Sequence, residues 1–195
     1  MMDEFIEECF GLTQSPDIVK ALKTFTIKNI VRAYNTLTLE RYAQDKKNIL
    51  THDYFDMLPG TILVHLDNND IIGFQYDDNK DSIIVWYDTH QGVKYHTPYY
   101  VQELSNFMSY DDPVYSRKEN WKNLIGNKLT KICILENKED DIRYFDDAFQ
   151  RAIILESEKE NIVLSSLPEF LYPLCIIKKS QISQNILNKS KLIEL

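Results

Sequence analysis

Asp88, His90 and His96 are the residues of this chain whose types and spacing come nearest to a metal centre. On an extended strand Asp88 and His90 share a face, and a turn at Gly92 would bring His96 back toward them. Three such ligands plus an open position describe a catalytic zinc site, so this trio would serve a small metal-dependent hydrolase. A second oxygen-rich stretch, Asp77-x-Asn79-x-Asp81, has the spacing of the first three ligands of a calcium loop, with Asp88 at the twelfth position. Ser82 stands where that loop requires Gly for its sharp turn, and Asp lacks the bidentate reach of Glu at the twelfth position. The flanks also read as strands, so a hairpin turn accounts for these residues without an ion.

Nucleophilic chemistry finds less support. Cys133 falls in an alternating apolar stretch and Cys175 lies between Leu174 and Ile176, so both read as small buried hydrophobes. There is no Gly-x-Ser-x-Gly elbow, and the five glycines form neither Gly-x-Gly-x-x-Gly nor a phosphate-cradling loop. His65, beside Leu63 on a strand, reads as a hydrogen-bonded or surface histidine, and Asp140-Asp141 and Asp146-Asp147 read as solvated turns. With no convergent constellation, no catalytic residue, bound metal or cofactor is assigned. Three widely spaced cysteines (Cys9, Cys133, Cys175) are neither a disulfide framework nor a metal signature, and they suit free thiols in a reducing cytoplasm.

The elements that must position these groups suggest an α+β fold, a helical N-terminal segment packed on one or two antiparallel β-sheets. Three stretches follow one another: a helical segment over 1–58, a β-meander plus short helix over 59–115, and a second β-rich region with a C-terminal tail over 116–195. Ser15-Pro16-Asp17 is a helix start, and Ile18, Leu22 and Phe25 fall on one face. Ile27, Ile30, Val31 and Tyr34 continue the helical spacing, a further helix is predicted over 36–49, and Pro59-Gly60 stops a helical turn over 53–58. From residue 61 the period becomes alternating, giving strands over 61–66, 71–76 and 82–87 joined by Asp/Asn-rich turns. Residues 99–108 read as an amphipathic helix, and 109–120 as a loop. Strands follow over 128–136, 148–156, 161–165 and 174–178, ahead of a tail from Ser180 that reads as helical.

Charge supplies the functional expectation. The chain has 30 acidic and 22 basic residues, a net of −8. Most of the excess falls between residues 61 and 120, together with seven of the twelve tyrosines. Asp77, Asp78, Asp81, Asp88, Asp111 and Asp112 bracket the segment that carries Trp86, Tyr87, Tyr95, Tyr99 and Tyr100. Adjacent Tyr99 and Tyr100 cannot both face one core from a regular helix, and Tyr110 and Tyr115 sit in a Pro-containing loop, so some rings should be exposed. Carboxylates that steer an encounter and rigid aromatics that anchor it suit a basic protein partner. Nucleic acid is not expected, since Lys46-Lys47 and Lys178-Lys179 are too short to make a phosphate-binding patch. Nor is a membrane, since apolar runs such as 83–87 are far too short and the acidic start lacks the features of a secretory signal. The expectation is a non-enzymatic, cytoplasmic protein-binding module that neutralises a basic partner by electrostatic occlusion. Small, acidic, motif-poor α+β chains are similar in general character to bacterial immunity proteins, a likeness of composition and size. In its sharpest form the module would be an immunity or antitoxin protein whose carboxylates stand in for the substrate phosphates of a toxin. The alternative is the metal-dependent hydrolase built on Asp88, His90 and His96.

Overall fold

Alternating burial along the strands generates two antiparallel sheets in the computed structural model, which describes residues 10–45, 50–78, 82–94, 106–137, 150–166 and 174–195. The first sheet contains β1 (Ile27–Tyr34), β2 (Thr61–Leu66), β3 (Ile71–Asp77), β4 (Ser82–His90), β5 (Val93–Lys94) and β6 (Asn106–Ser109), in the order β5-β4-β3-β2-β1-β6. The second contains β7 (Leu129–Asn137), β8 (Gln150–Ser157), β9 (Asn161–Ser165), β10 (Cys175–Lys178) and β11 (Ser190–Glu194), in the order β10-β9-β8-β7-β11. Helices α1 (Pro16–Thr24), α2 (Thr36–Asp45), α3 (Tyr54–Met57), α4 (Lys118–Trp121) and α5 (Gln184–Lys189) complete the expected α+β fold.

One core joins the sheets. Ile62, Val64, Ile72, Phe74, Ile83 and Val85 of the first sheet share it with Ile132, Ile134, Ile153, Leu155, Ile162 and Leu164 of the second. The second sheet also buries its other face, where Cys133, Leu135, Ile154, Val163 and Ile177 pack with Ile182 and with Ile186 and Leu187 of α5. Burial on both faces explains why β7 and β8 read as nearly unbroken apolar runs rather than as alternation. Helix α1 turns Ile18 and Leu22 inward and lies against β7. The β2–β3 turn forms as its Asp/Asn content requires: Asn69 has φ +69°, and the Asn68 side-chain oxygen accepts from the Asp70 amide at 3.1 Å.

Three stretches depart from the sequence reading. Residues 27–34, expected to extend a helix, form β1, which lies between β2 and β6. A bulge is the reason. The β1–β2 register shifts between Ile27 and Asn29, leaving Lys28 extra and exposed, so Ile27 and Ile30 both reach the core. In an unbroken strand residues three apart face opposite ways; the bulge makes them face together and imitates a helical period. Residues 106–109 form edge strand β6 on β1 rather than the end of a helix, with Met108 buried. The tail forms only the short α5 before β11 returns along β7, pairing Leu192 with Leu135 and Ile193 with Ile134. The expected strands over 61–66 and 161–165 match β2 and β9, and those over 71–76, 82–87, 128–136 and 174–178 differ from β3, β4, β7 and β10 by a few terminal residues.

Gly73 of β3 shows how tightly the first sheet is covered. A Cβ there would lie 2.3 Å from the Trp86 ring, which packs over the glycine from the neighbouring strand. Gly73→Ala should therefore lower unfolding stability by about 1–3 kcal/mol through overpacking. Chemical denaturation of the variant checks this, and an unchanged midpoint would contradict the packing described.

Candidate functional site

One polar cleft of this chain lies beside a helical turn that a buried arginine holds in place. Arg32 is an inward-facing residue of β1, fully buried, and a charge in that position must have its donors satisfied. Its Nε donates to the Phe55 carbonyl at 2.6 Å, and one terminal nitrogen donates to the Leu58 carbonyl. The other donates to the carbonyls of Asp56 at 3.3 Å and Leu174 at 3.2 Å. Three of these carbonyls belong to α3 and the residue that follows it, where a helix end leaves acceptors unfilled and favours a cation. The fourth belongs to Leu174, which has φ +62° and immediately precedes β10. Burial pulls the Arg32 pKa down to about 10, so the guanidinium remains charged near neutrality.

Beside α3 lies a cleft of about 440 Å³ lined by Asp53, Asp56, Met57, Arg117, Asn120, Trp121, Ile176, Ile177, Lys178 and Gln181. The Asp56 carboxylate accepts from the Trp121 indole N–H at 2.6 Å and from the Asn120 amide at 3.3 Å. Burial raises its pKa to about 6 despite those donors and the nearby Arg32 charge. Asp53, at the rim, takes both prongs of Arg117, with Nη2 to Oδ2 at 3.1 Å. Behind the cleft, the Phe55 amide donates to the Tyr115 carbonyl at 2.8 Å, and the rings of Tyr54 and Tyr115 stack 5.9 Å apart. These features combine hydrogen-bonding charge with apolar surface, the composition of a ligand-binding cleft.

The residues singled out from the sequence are not gathered there. His90 turns its Nδ1 to Asp70 at 3.0 Å and stacks on Tyr87, with ring centroids 4.2 Å apart. Asp88 instead sits near His65, whose pKa is lowered by burial while the Asp88 charge opposes that shift. The β3–β4 register explains the divergence: Ile72 faces Tyr87 but Ile71 faces Thr89, so Asp88 is an extra residue and the expected shared face with His90 is lost. Asp70 accepts additionally from Asn68 at 2.8 Å and the Gln91 amide at 2.9 Å. Burial acts against its ionisation, but these donors and His90 hold its pKa below the ordinary carboxylate value. Among the described residues no group of three metal-ligating side chains converges. Asp81, Tyr95, His96, Tyr99 and Tyr100 lie outside the described residues.

The acidic and aromatic positions divide in the same way. Trp86, expected on an interface, is buried at 7% exposure, and Asp88 is buried with it. Tyr87, Tyr110 and Tyr115 are half-buried against the core, and the Tyr87 hydroxyl donates to the Asp17 carbonyl at 3.2 Å. Asp77 and Asp78 lie at the β3 end that faces Ser82, whereas Asp111 and Asp112 follow β6 beside the opposite end of the sheet. The β2–β3 turn lies toward that same end of β1. Thr26, just before β1, donates its hydroxyl to Asp67 at 2.6 Å, and Ser109 donates to Asp111 at 2.7 Å and to Asn29 of β1 at 3.1 Å. Asp112 accepts from the Val114 and Tyr115 amides, each at 2.9 Å.

No family model, curated protein or solved structure matches the chain. Among the described residues no helix is long and apolar enough to cross a membrane.

Two outcomes follow from the cleft. Arg32→Met should cost about 3–5 kcal/mol of stability, because it strands buried carbonyls and leaves Asp56 without its neighbouring charge; thermal and denaturant unfolding would show it, and a near-neutral effect would refute the role given to Arg32. Asp56 has a folded pKa above its unfolded value, so its contribution to stability is fully present below about pH 4 and is lost as pH rises through about 6. Unfolding free energy should therefore gain, from this group, as pH falls from about 7 to about 4, and Asp56→Asn should remove that part of the pH profile. A profile unchanged by the substitution would contradict the burial of an ionisable Asp56.

Proposed function

We propose that this chain is a non-enzymatic protein-binding module for a basic partner, in its sharpest form an immunity- or antitoxin-type protein that occludes a toxin's basic surface. The observation that carries this reading is the way the two sheets handle charge. On the second sheet, lysines meet carboxylates: Lys179 with Glu156 at 2.6 Å, Lys131 with Glu194 at 2.7 Å, Lys178 with Glu160 at 3.8 Å and Lys191 with Glu136 at 3.9 Å. At the β1 end of the first sheet, Asp67, Asp111 and Asp112 are held instead by hydroxyl and backbone N–H donors. Such donors fix the direction of a carboxylate without cancelling its charge. The hydrogen bonds from Thr26 hold the Asp67 pKa down, with a smaller contribution from the nearby Lys128 charge, favouring the ionised form.

Pre-oriented carboxylates that form no ion pair among the described residues accelerate encounter with a positive surface and lose little side-chain entropy on contact. The half-buried Tyr110 and Tyr115 border Asp111 and Asp112 and would supply adjacent apolar contact. Action in the cytoplasm belongs to the same proposal, and the buried thiols of Cys133 and Cys175 are compatible with it.

The test is affinity capture of a basic protein from the native lysate, followed by kinetics against charge-reversed variants. Asp67→Lys, Asp111→Lys and Asp112→Lys combined should slow association at low salt by about tenfold or more and flatten its salt dependence, with the melting temperature maintained. Asp77→Lys with Asp78→Lys, at the other end of the sheet, should do less. Equal association by wild type and the triple variant would remove this surface as the docking face.

A further inference from the structure

We propose that β6 is a docking edge at which an extended segment of the basic partner adds to the first sheet as a further strand, with its arginines aligned on one face. This deepens the reading above and rests on it. The direction of the main chain comes first. The amide of Tyr110, next in the chain after β6, donates to the Ile30 carbonyl at 3.0 Å and so continues the β1–β6 register. Such bonded positions alternate along an antiparallel pair, so Met108 and Asn106 also turn their peptide groups toward β1. Phe107 and Ser109 turn theirs the other way, to the side on which the sheet ends among the described residues. The Ser109 carbonyl agrees with this direction, since it accepts from the Asp112 amide of the following turn at 3.0 Å. The Phe107 N–H and C=O and the Ser109 N–H are then the groups that a strand laid beside β6 would meet.

The side chains give that strand its chemistry. Phe107 pairs with Ala33 on the face away from the core and is 62% exposed, whereas its neighbour Met108 is 1% exposed. Ser109 shares the Phe107 face, and its hydroxyl donates to Asp111 at 2.7 Å, which places an exposed carboxylate two residues along from the ring. A strand with a basic residue at every second position would lay one side chain over Phe107 and the next beside Asp111. Arginine suits both positions, because its guanidinium stacks on an aromatic face and its fork matches a carboxylate. The edge strands of the second sheet fit such a segment less well. Strand β11 exposes Lys191 and pairs Glu194 with Lys131 at 2.7 Å. Strand β10 buries Cys175, Ile176 and Ile177, so it has no exposed apolar side chain to anchor a ligand.

The experiment adds a blocked Arg-Val-Arg-Val-Arg peptide to the full chain and follows assigned backbone amides by NMR and hydrogen exchange. The same peptide N-methylated at every residue is the control, since it keeps the charge and cannot add as a strand. The expected result is saturable binding with exchange slowed about tenfold or more at Phe107 and Ser109, and no such slowing with the N-methylated peptide. Phe107→Ala should weaken the peptide about threefold to tenfold, and Asp111→Asn, a second exposed position, should do likewise, both with the melting temperature maintained. No slowing at Phe107 and Ser109, or equal slowing with the N-methylated peptide, overturns the edge site. Slowing at those amides that grows with protein concentration in the absence of peptide would assign the edge to a second copy of the chain and overturn it too. If the peptide fails while a captured basic protein still binds with salt-dependent kinetics, strand addition falls and the binding-module reading stands. If the peptide adds at β6 and no basic protein is captured, the reverse holds.

Discussion

A guanidinium buried between two sheets imposes more order on this molecule than any single apolar contact. Arg32 cannot be left without acceptors, and the carbonyls that satisfy it come from α3, from the residue after α3, and from the approach to β10. Strand β1 of the first sheet, the helical turn and the edge of the second sheet are thereby held in one arrangement. The hydrophobic core drives the association of the sheets, but apolar contact alone is non-directional. The hydrogen bonds of Arg32 supply direction. Trp121 extends the constraint to α4 through Asp56, so four elements distant in sequence meet around one charged group and its acidic neighbour.

The same neighbourhood contains the chemistry. Burying Asp56 near Arg32 gives the cleft an ordered carboxylate, and the ordering comes from residues far along the chain. The surface repeats this logic at lower cost. Carboxylates on the second sheet are matched by lysines, whereas Asp67, Asp111 and Asp112 are oriented by neutral donors. Exposed pairs contribute little to stability, so their placement matters more for the field they leave outside than for the fold within. Among the described residues, then, the carboxylates of the second sheet form ion pairs while Asp111 and Asp112 form none.

Much of the strand layout was legible because turn chemistry and period-two burial are local properties: the Asn68–Asp70 turn and the strands around it follow directly from residue types. The helical reading of 27–34 failed because a bulge at Lys28 restored the three-residue spacing of Ile27 and Ile30 to one face. The pairing of Asp88 with His90 failed for a related reason, since an extra residue in β4 broke the alternation on which it depended. The cleft was invisible for a different reason. Asp56 falls in the helical turn expected over 53–58, and nothing in the residues around Trp121 points to it. Sixty-five positions separate them, and only the tertiary path set by Arg32 brings them together. Arg32 between the apolar Val31 and Ala33 was the available signal, because an arginine carried inward with them demands acceptors from elsewhere in the chain.

The central claim, that the acidic end of the first sheet is the docking face, is tested most directly by amide hydrogen exchange of the chain free and bound to its captured basic partner. The account predicts slowed exchange over 109–117, with residues 184–194 unchanged. Protection confined to 184–194, with no change over 109–117, would place the partner on the second sheet and contradict it.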